Sequence, residues 1–190
     1  REWGLNHLRF HSWCPPEAAF EVADAEGFYL QVELPLWALN VGEEHATVDY
    51  LNDEADRILR AYGNHPSFCL MSMGNELQGD MNIINGLMKR LKDSDNRRLY
   101  TTTSFTFEKG YGVAPMDGDD FFITQWTKNG WVRGQGVFEQ RPPQFDRDYQ
   151  SALKDIDAPL ITHEIGQYSV YPNLAEIKKY TGVLRPLNFE

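Results

Sequence analysis

Ser67-Phe68-Cys69-Leu70-Met71-Ser72-Met73-Gly74-Asn75-Glu76 is the stretch on which the fold turns. An apolar run bounded by His65-Pro66 and by Gly74 reads as a buried strand of a parallel sheet. It delivers an amide and a carboxyl side by side at its C-terminal end. A β/α barrel presents catalytic groups in this way, from the ends of buried strands on its top face. Ala158-Pro159-Leu160-Ile161-Thr162-His163-Glu164-Ile165-Gly166 repeats the design, with a short apolar strand, His163 and Glu164, and then a glycine. Two strand-end glutamates far apart in sequence point to a carboxyl pair facing one cleft.

Working outward, Leu5-Asn6-His7-Leu8-Arg9-Phe10 alternates as a strand does. After His11-Ser12-Trp13-Cys14, Pro15-Pro16 open a helix where proline costs least. Ala18, Ala19, Val22 and Ala23 are expected to form its apolar face, and Gly27 to stop it in a left-handed conformation. Phe28–Leu34 is the next strand, with Glu33 near its end and Pro35 closing it. A loop with Trp37 leads to an amphipathic helix carrying Val48, Leu51, Ala55, Ile58, Leu59 and Tyr62, ended by Gly63. Beyond the organising strand, Asp80 is placed to cap a helix whose stripe is Ile83, Ile84, Leu87, Met88 and Leu91. Arg98–Thr103 and Asp120–Gln125 read as strands. The Gly- and Pro-rich segment between them, Phe105 to Asp119, lacks a helical period. A long loop with Trp131, Gly134, Gly136 and Pro142-Pro143 follows. Tyr149, Ala152, Leu153 and Ile156 predict a helix before the Glu164 strand, and Asn173 caps a last helix through Tyr180.

Six strands thus alternate with helices, which predicts a parallel sheet with crossover connections. Polar residues stand at nearly every strand exit: Arg9, Glu33, Asn75 with Glu76, Gln125, and His163 with Glu164. A doubly wound nucleotide-binding sheet would need a glycine-rich turn after its first strand. Here that turn is His-Ser-Trp-Cys-Pro-Pro, so a barrel is the better reading. Six strands do not close an eight-stranded barrel, and the expectation is that two lie outside this chain.

Composition sets outer bounds. The 190 residues suit one domain, and 42% hydrophobic with 24% charged residues is enough to build a core. A net charge of −10 and a pI near 4.9 argue against nucleic acid as partner. No apolar run is long enough to span a bilayer as a helix. Two cysteines, Cys14 and Cys69, are too few for a disulfide scaffold or a zinc site. Arg1 is not an initiator methionine, and the chain reads as a piece of a longer one. Its compartment stays open, with a bacterial periplasmic or secreted location as the expectation.

Three stretches resemble glycoside hydrolase family two, the β-galactosidases, β-glucuronidases and β-mannosidases. Asn6-His7-Leu8-Arg9 with His11 and Pro15 looks like the second-strand motif. His65-Pro66-Ser67 through Gly74-Asn75-Glu76 looks like the fourth-strand motif with the acid/base, and Pro159 through Gly166 like the seventh-strand motif with the nucleophile. The resemblance implies that residues 1–190 are one segment of a TIM-barrel, (β/α)8, catalytic domain, about strands two to seven, with the remaining strands and β-sandwich domains as partners elsewhere in a parent chain. It implies a retaining hydrolase of β-linked glycosides, with Glu76 as acid/base and Glu164 as nucleophile. Asn75 would bind the sugar hydroxyl beside the reacting carbon, Arg9 would hold the nucleophile, and His11 would also touch substrate. No cofactor and no metal are implied. The sequence departs from the family in two places: the histidine stands two rather than three residues after Arg9, and Gln125-Trp126 replaces the tyrosine usual at the sixth strand end.

Glycoside hydrolysis needs one carboxyl protonated at the leaving oxygen and another acting from the opposite face. Trp126, Trp131, Trp13 and Tyr168 are candidates for stacking on substrate rings. Glu33 reads equally as a partner for Arg9 or a histidine and as a plain ion pair. His163, next to Glu164, is expected to point to the other side of its strand as a packed structural residue. Two further function classes stay open: a sugar-binding protein on a degenerate hydrolase barrel, and a metal-dependent amidohydrolase barrel using His7 and His11.

Overall fold

The computed structural model describes residues 1–133, 148–164, 172–184 and 186. Within them, β1 (His7–Phe10), β2 (Tyr29–Glu33), β3 (Phe68–Ser72) and β4 (Leu99–Thr101) form one parallel sheet in chain order. Three helices make the crossovers between these strands: α1 (Glu17–Glu26), α2 (His45–Tyr62) and α3 (Met81–Ser94). A second parallel pair joins β5 (Phe122–Thr124) to β8 (Leu160–Thr162). Isolated parallel bridges, Asn75 with Ser104 and Ser104 with Ile123, stitch the two sheets together. The six expected strands are therefore present and parallel, and they do not close into a complete barrel among the described residues. An unexpected antiparallel hairpin, β6 (Trp126–Thr127) and β7 (Gly130–Trp131), lies between β5 and β8. It falls where the sequence reads as loop, because two-residue strands carry no detectable period.

The central strand β2 is buried on both faces from Leu30 to Glu33. On the helical face, Leu30, Val32 and Leu34 of β2 and its exit pack with Phe68, Met71 and Tyr100 against Leu51, Ala55, Ile58, Ile84, Met88 and Leu91. Gln31 and Glu33 alternate with them and point to the opposite face, where Ser72, Thr101 and Ser104 are also buried. One face of this sheet is thus an apolar core and the other a polar interior. Strand periodicity assigns residues to faces but does not say that the second face is also covered.

The helices end as their sequences dictate. Gly27 adopts φ 72° and closes α1, its N–H donating to Ala23 O. The Asp80 carboxylate accepts from the N–H groups of Asn82 and Ile83 and caps α3. The α1 face differs from expectation: Val22 is 61% exposed, and the buried anchor is Phe20. Its ring stacks on Tyr62 at 4.6 Å and on His65 at 5.1 Å, a socket assembled from parts of the chain distant from α1.

Residues 149–156 form no α-helix. Ala152 and Leu153 donate back to Tyr149 O, but Asp155 takes φ 65° and Asp157-Ala158-Pro159 then forces extended chain. The residues from Leu174 to Lys179 form a 3-10 helix rather than an α-helix, with Asn173 accepting from Ala175 N as expected of its cap. Gly134, Gly136 and Pro142-Pro143 lie outside the described residues.

Replacing Phe20 with alanine empties its socket against Tyr62, His65 and Phe68, and the variant should be destabilised by about 3–5 kcal/mol. Urea unfolding followed by circular dichroism measures this. A loss below about 1 kcal/mol would show that α1 is not anchored through this ring.

Candidate active site

Arg9 leaves β1 toward the polar interior. Its Nε donates to Glu33 Oε1 at 2.6 Å and its Nη2 to Asn75 Oδ1 at 2.6 Å, while Nη1 lies 3.8 Å from Glu164 Oε1. Glu33 is fully buried and also accepts from Ser12 N at 2.7 Å, Gln31 Nε2 at 3.3 Å and the Ser104 hydroxyl. Glu33 thus pairs with Arg9 rather than with a histidine, and the contact is itself an ion pair.

Asn75 and Glu76 follow consecutively, as do His163 and Glu164. Successive residues of a strand point to opposite faces. Here each glutamate takes a left-handed conformation, φ 48° for Glu76 and φ 50° for Glu164, which breaks the alternation. Both members of each pair consequently face the same cleft. This overturns the expectation that His163 points away.

His163 is buried, donates from Nε2 to Asn75 Oδ1 at 3.1 Å and accepts at Nδ1 from Gln125 Nε2 at 3.1 Å. Its ring stacks on Phe105 at 5.3 Å. Burial, together with the positive charges of Arg9, Arg133 and His11, pushes the imidazole down to about 3, so it is neutral at ordinary pH. With Arg9 and His163 both donating to Oδ1, the Asn75 amide is held in one orientation. Its buried Nδ2 has no partner among the described residues and is available as a donor.

Oxygens of Glu76 and Glu164 and a nitrogen of His163 lie within 4.8 Å of one another. The Glu76 carboxyl is raised above the ordinary carboxylate range, first by burial and then by the charge of Glu164. His11, the Trp37 indole N–H and Arg9 oppose this by favouring the anion. His11 Nε2 stands 3.7 Å from Glu164 Oε1, and its ring meets Trp37 edge-to-face at 5.3 Å. A cavity of about 150 Å³ adjoins Glu164 and is also lined by His7, Arg9, Gln31 and His163.

The only group at metal-binding range among the described residues is Glu76, His163 and Glu164, and it does not include His7 or His11. Both His163 nitrogens are already engaged, and the guanidiniums of Arg9 and Arg133 act on the same carboxyls. Both carboxyls therefore already have cationic neighbours.

Trp126 and Trp131 form an aromatic wall, edge-to-face at 5.1 Å, joined to His163 through Phe105. Trp13 packs on Phe10 at 5.8 Å and stays half-exposed. Tyr168 lies outside the described residues. Sequence reading passed over three contributors. Ser104, at the exit of β4, bonds Glu33 and links the sheets. Arg133 is buried beside the carboxyl pair. Trp37 follows the β2 exit in the chain, and that position was the signal available for it.

No family model matches the chain, and no curated protein matches it. Solved structures do. A GH2 β-galacturonidase from Eisenbergiella tayi aligns with a TM-score of 0.60 and 16% identity, covering 88% of this chain and 30% of that one. A β-glucuronidase from Parabacteroides merdae gives 0.54 and 17%, covering 72% and 18%. One from an uncultured Clostridium species gives 0.52 and 20%, covering 64% and 23%. The chain spans less than a third of the length of each. At such identities the likeness shows the fold: a mixed α/β arrangement with a parallel sheet, similar to part of a glycoside hydrolase barrel.

The neutral, buried His163 has a measurable consequence. In the unfolded chain its imidazole titrates near the ordinary 6.5, whereas in the folded protein it titrates near 3. Between these values the unfolded state binds more protons, so stability falls as pH drops from 6.5 toward 3. His163→Gln should make the decline between pH 6.5 and 4 shallower in urea titrations at stepped pH. Asp24 and Asp95, held below the ordinary 3.8, lose their contributions mainly beneath that window and are present in both proteins. An unchanged slope would mean that His163 is protonated in the folded protein.

Proposed function

We propose that this chain is the strand-two-to-seven portion of a (β/α)8 glycosidase barrel that cleaves β-linked glycosides with retention, using Glu76 as acid/base and Glu164 as nucleophile. The observation that carries the reading is the convergence of the two strand-end carboxyls to within 4.8 Å, one of them raised by burial and by the other's charge. Retaining glycosidases set their carboxyls about 5–5.5 Å apart, inverting ones about 6.5–9.5 Å. The spacing therefore favours direct attack over a water-mediated displacement.

In this reading the raised Glu76 is the group able to donate a proton to the leaving oxygen. Glu164, flanked by Arg9 and His11, attacks the anomeric carbon and forms a glycosyl ester. The leaving alcohol departs with the proton of Glu76. Glu76, now anionic, takes a proton from water, which attacks the same carbon and releases Glu164. Asn75, its amide locked by Arg9 and His163, directs Nδ2 toward a substrate hydroxyl. Gln125 stands where the resembled family keeps a tyrosine, and its contact is with His163 rather than with either carboxyl. The nucleophile is held here by Arg9 and His11 instead. The uronic acids named for the similar solved enzymes are compatible with a site that contains Arg9 and Arg133.

Azide rescue tests the roles in the intact parent protein. With an activated aryl glycoside, Glu76→Ala should accumulate the glycosyl-enzyme, and azide should speed turnover to a glycosyl azide of retained configuration. Glu164→Ala should form no glycosyl-enzyme and give only the inverted azide adduct. The anomeric configuration of each adduct, read by NMR, decides the matter. Swapped configurations would overturn the assignment, and turnover by both variants at wild-type rate would remove the function altogether.

The 190 residues alone should turn over such glycosides far more slowly than a chain that also supplies the other two barrel strands. Equal rates would contradict the partial-barrel reading.

A further inference from the structure

The segment that follows β2 is laced onto the segment that follows β3. Asn75 N donates to Leu36 O at 3.0 Å, Gln78 N to Ala38 O at 3.0 Å, Val41 N to Gln78 O at 3.0 Å and Asp80 N to Val41 O at 2.8 Å. The Ser12 hydroxyl adds a bond to Leu36 O at 3.2 Å. Gly74 makes the approach possible: a Cβ there would lie 2.5 Å from Leu36 O. Trp37 sits between the two carbonyls bonded by Asn75 and Gln78, which places it alongside Glu76 through backbone alone. Its ring meets His11 edge-to-face, and its indole N–H favours the Glu76 anion. Trp37 is nonetheless 62% exposed. A T-shaped contact covers at most one face of a ring, so an indole face is held open beside the acid/base carboxyl by a rigid loop.

An oxygen that is to be protonated by Glu76 must lie in hydrogen-bond reach of its carboxyl. The group carried by that oxygen then occupies the space next to Glu76, over Trp37. We propose that Trp37 forms the floor of a leaving-group subsite, a flat platform for a ring-bearing aglycone, aryl or pyranosyl. This rests on the assignment of Glu76 as acid/base. The aromatic wall of Trp126 and Trp131 reaches the site by another route, through Phe105 and His163.

The test compares glycosides of one sugar in the intact protein. Phenyl and hexafluoroisopropyl glycosides have leaving groups of similar acidity but differ in whether a ring departs, and a disaccharide supplies a pyranosyl leaving group. Trp37→Ala, a change at an exposed side chain, should lower the ratio of kcat/KM for phenyl over hexafluoroisopropyl by about tenfold, the scale of one aromatic contact. Trp37→Phe should restore most of that ratio. Because it lacks the indole donor, it should also move the basic limb of the pH profile upward. A matching loss with the disaccharide shows that sugar rings use the platform; an effect confined to phenyl limits the subsite to aryl groups. Equal losses for phenyl and hexafluoroisopropyl glycosides would overturn the subsite while leaving the role of Glu76 intact. Full activity of Glu76→Ala on the disaccharide would overturn the acid/base assignment, and the subsite with it.

Discussion

A buried carboxylate, Glu33, holds the rest of the site in register. Removing a charge from water costs several kcal/mol even after relaxation. Glu33 remains buried because Arg9, the Ser12 N–H, Gln31 and Ser104 all donate to it. Those four donors come from β1, the turn after it, β2 and the exit of β4, so a single side chain ties together elements as far as 71 residues from it in sequence. Arg9, oriented by Glu33, then has its remaining nitrogens directed at Asn75 and Glu164. A charge placed for stability thus determines where the catalytic candidates sit.

The two faces of the sheet divide the labour. Leu30, Val32, Met71 and Tyr100 bind the helices through apolar contact, which is non-directional and tolerant of small shifts. Gln31, Glu33, Ser72 and Ser104 form a directional network with little tolerance. Polar groups this deeply buried are destabilising unless paired, and most of them are. Among the described residues, the Asn75 Nδ2 donor and the Gln125 and Gln31 acceptors are buried without a partner.

Much of this was legible in the sequence, for definable reasons. Strands that end in Gly-Asn-Glu or His-Glu announce their exits, and the Asp80 and Asn173 caps follow from local chemistry. Glu33 and Arg9 were visible as strand-end polar groups, although not the four-donor network they share. Other features depend on tertiary context. Phe20 rather than Val22 faces inward because Tyr62 and His65 build its socket. His163 joins the cleft because Glu164 turns left-handed, a conformation with no compositional sign in a glutamate. Residues 149–156 carry two turns' worth of apolar spacing, too short to outweigh Asp155 and Pro159. Trp37 gains its place from hydrogen bonds made by its neighbours, and no periodicity reports such an arrangement.

The left-handed backbone at Glu76 and Glu164 also bears on how far this protein can be hardened. A non-glycine residue in that region carries roughly 1–2 kcal/mol of strain. Two such positions amount to a substantial share of the 5–15 kcal/mol net stability usual for a domain. Glycine would relieve the strain at either position, and a selection for thermal tolerance alone would find those replacements readily. Each would delete one member of the carboxyl pair. Under the proposed function, durability and chemistry compete for the same two residues, and heat-selected variants of this chain are where that competition would leave its trace.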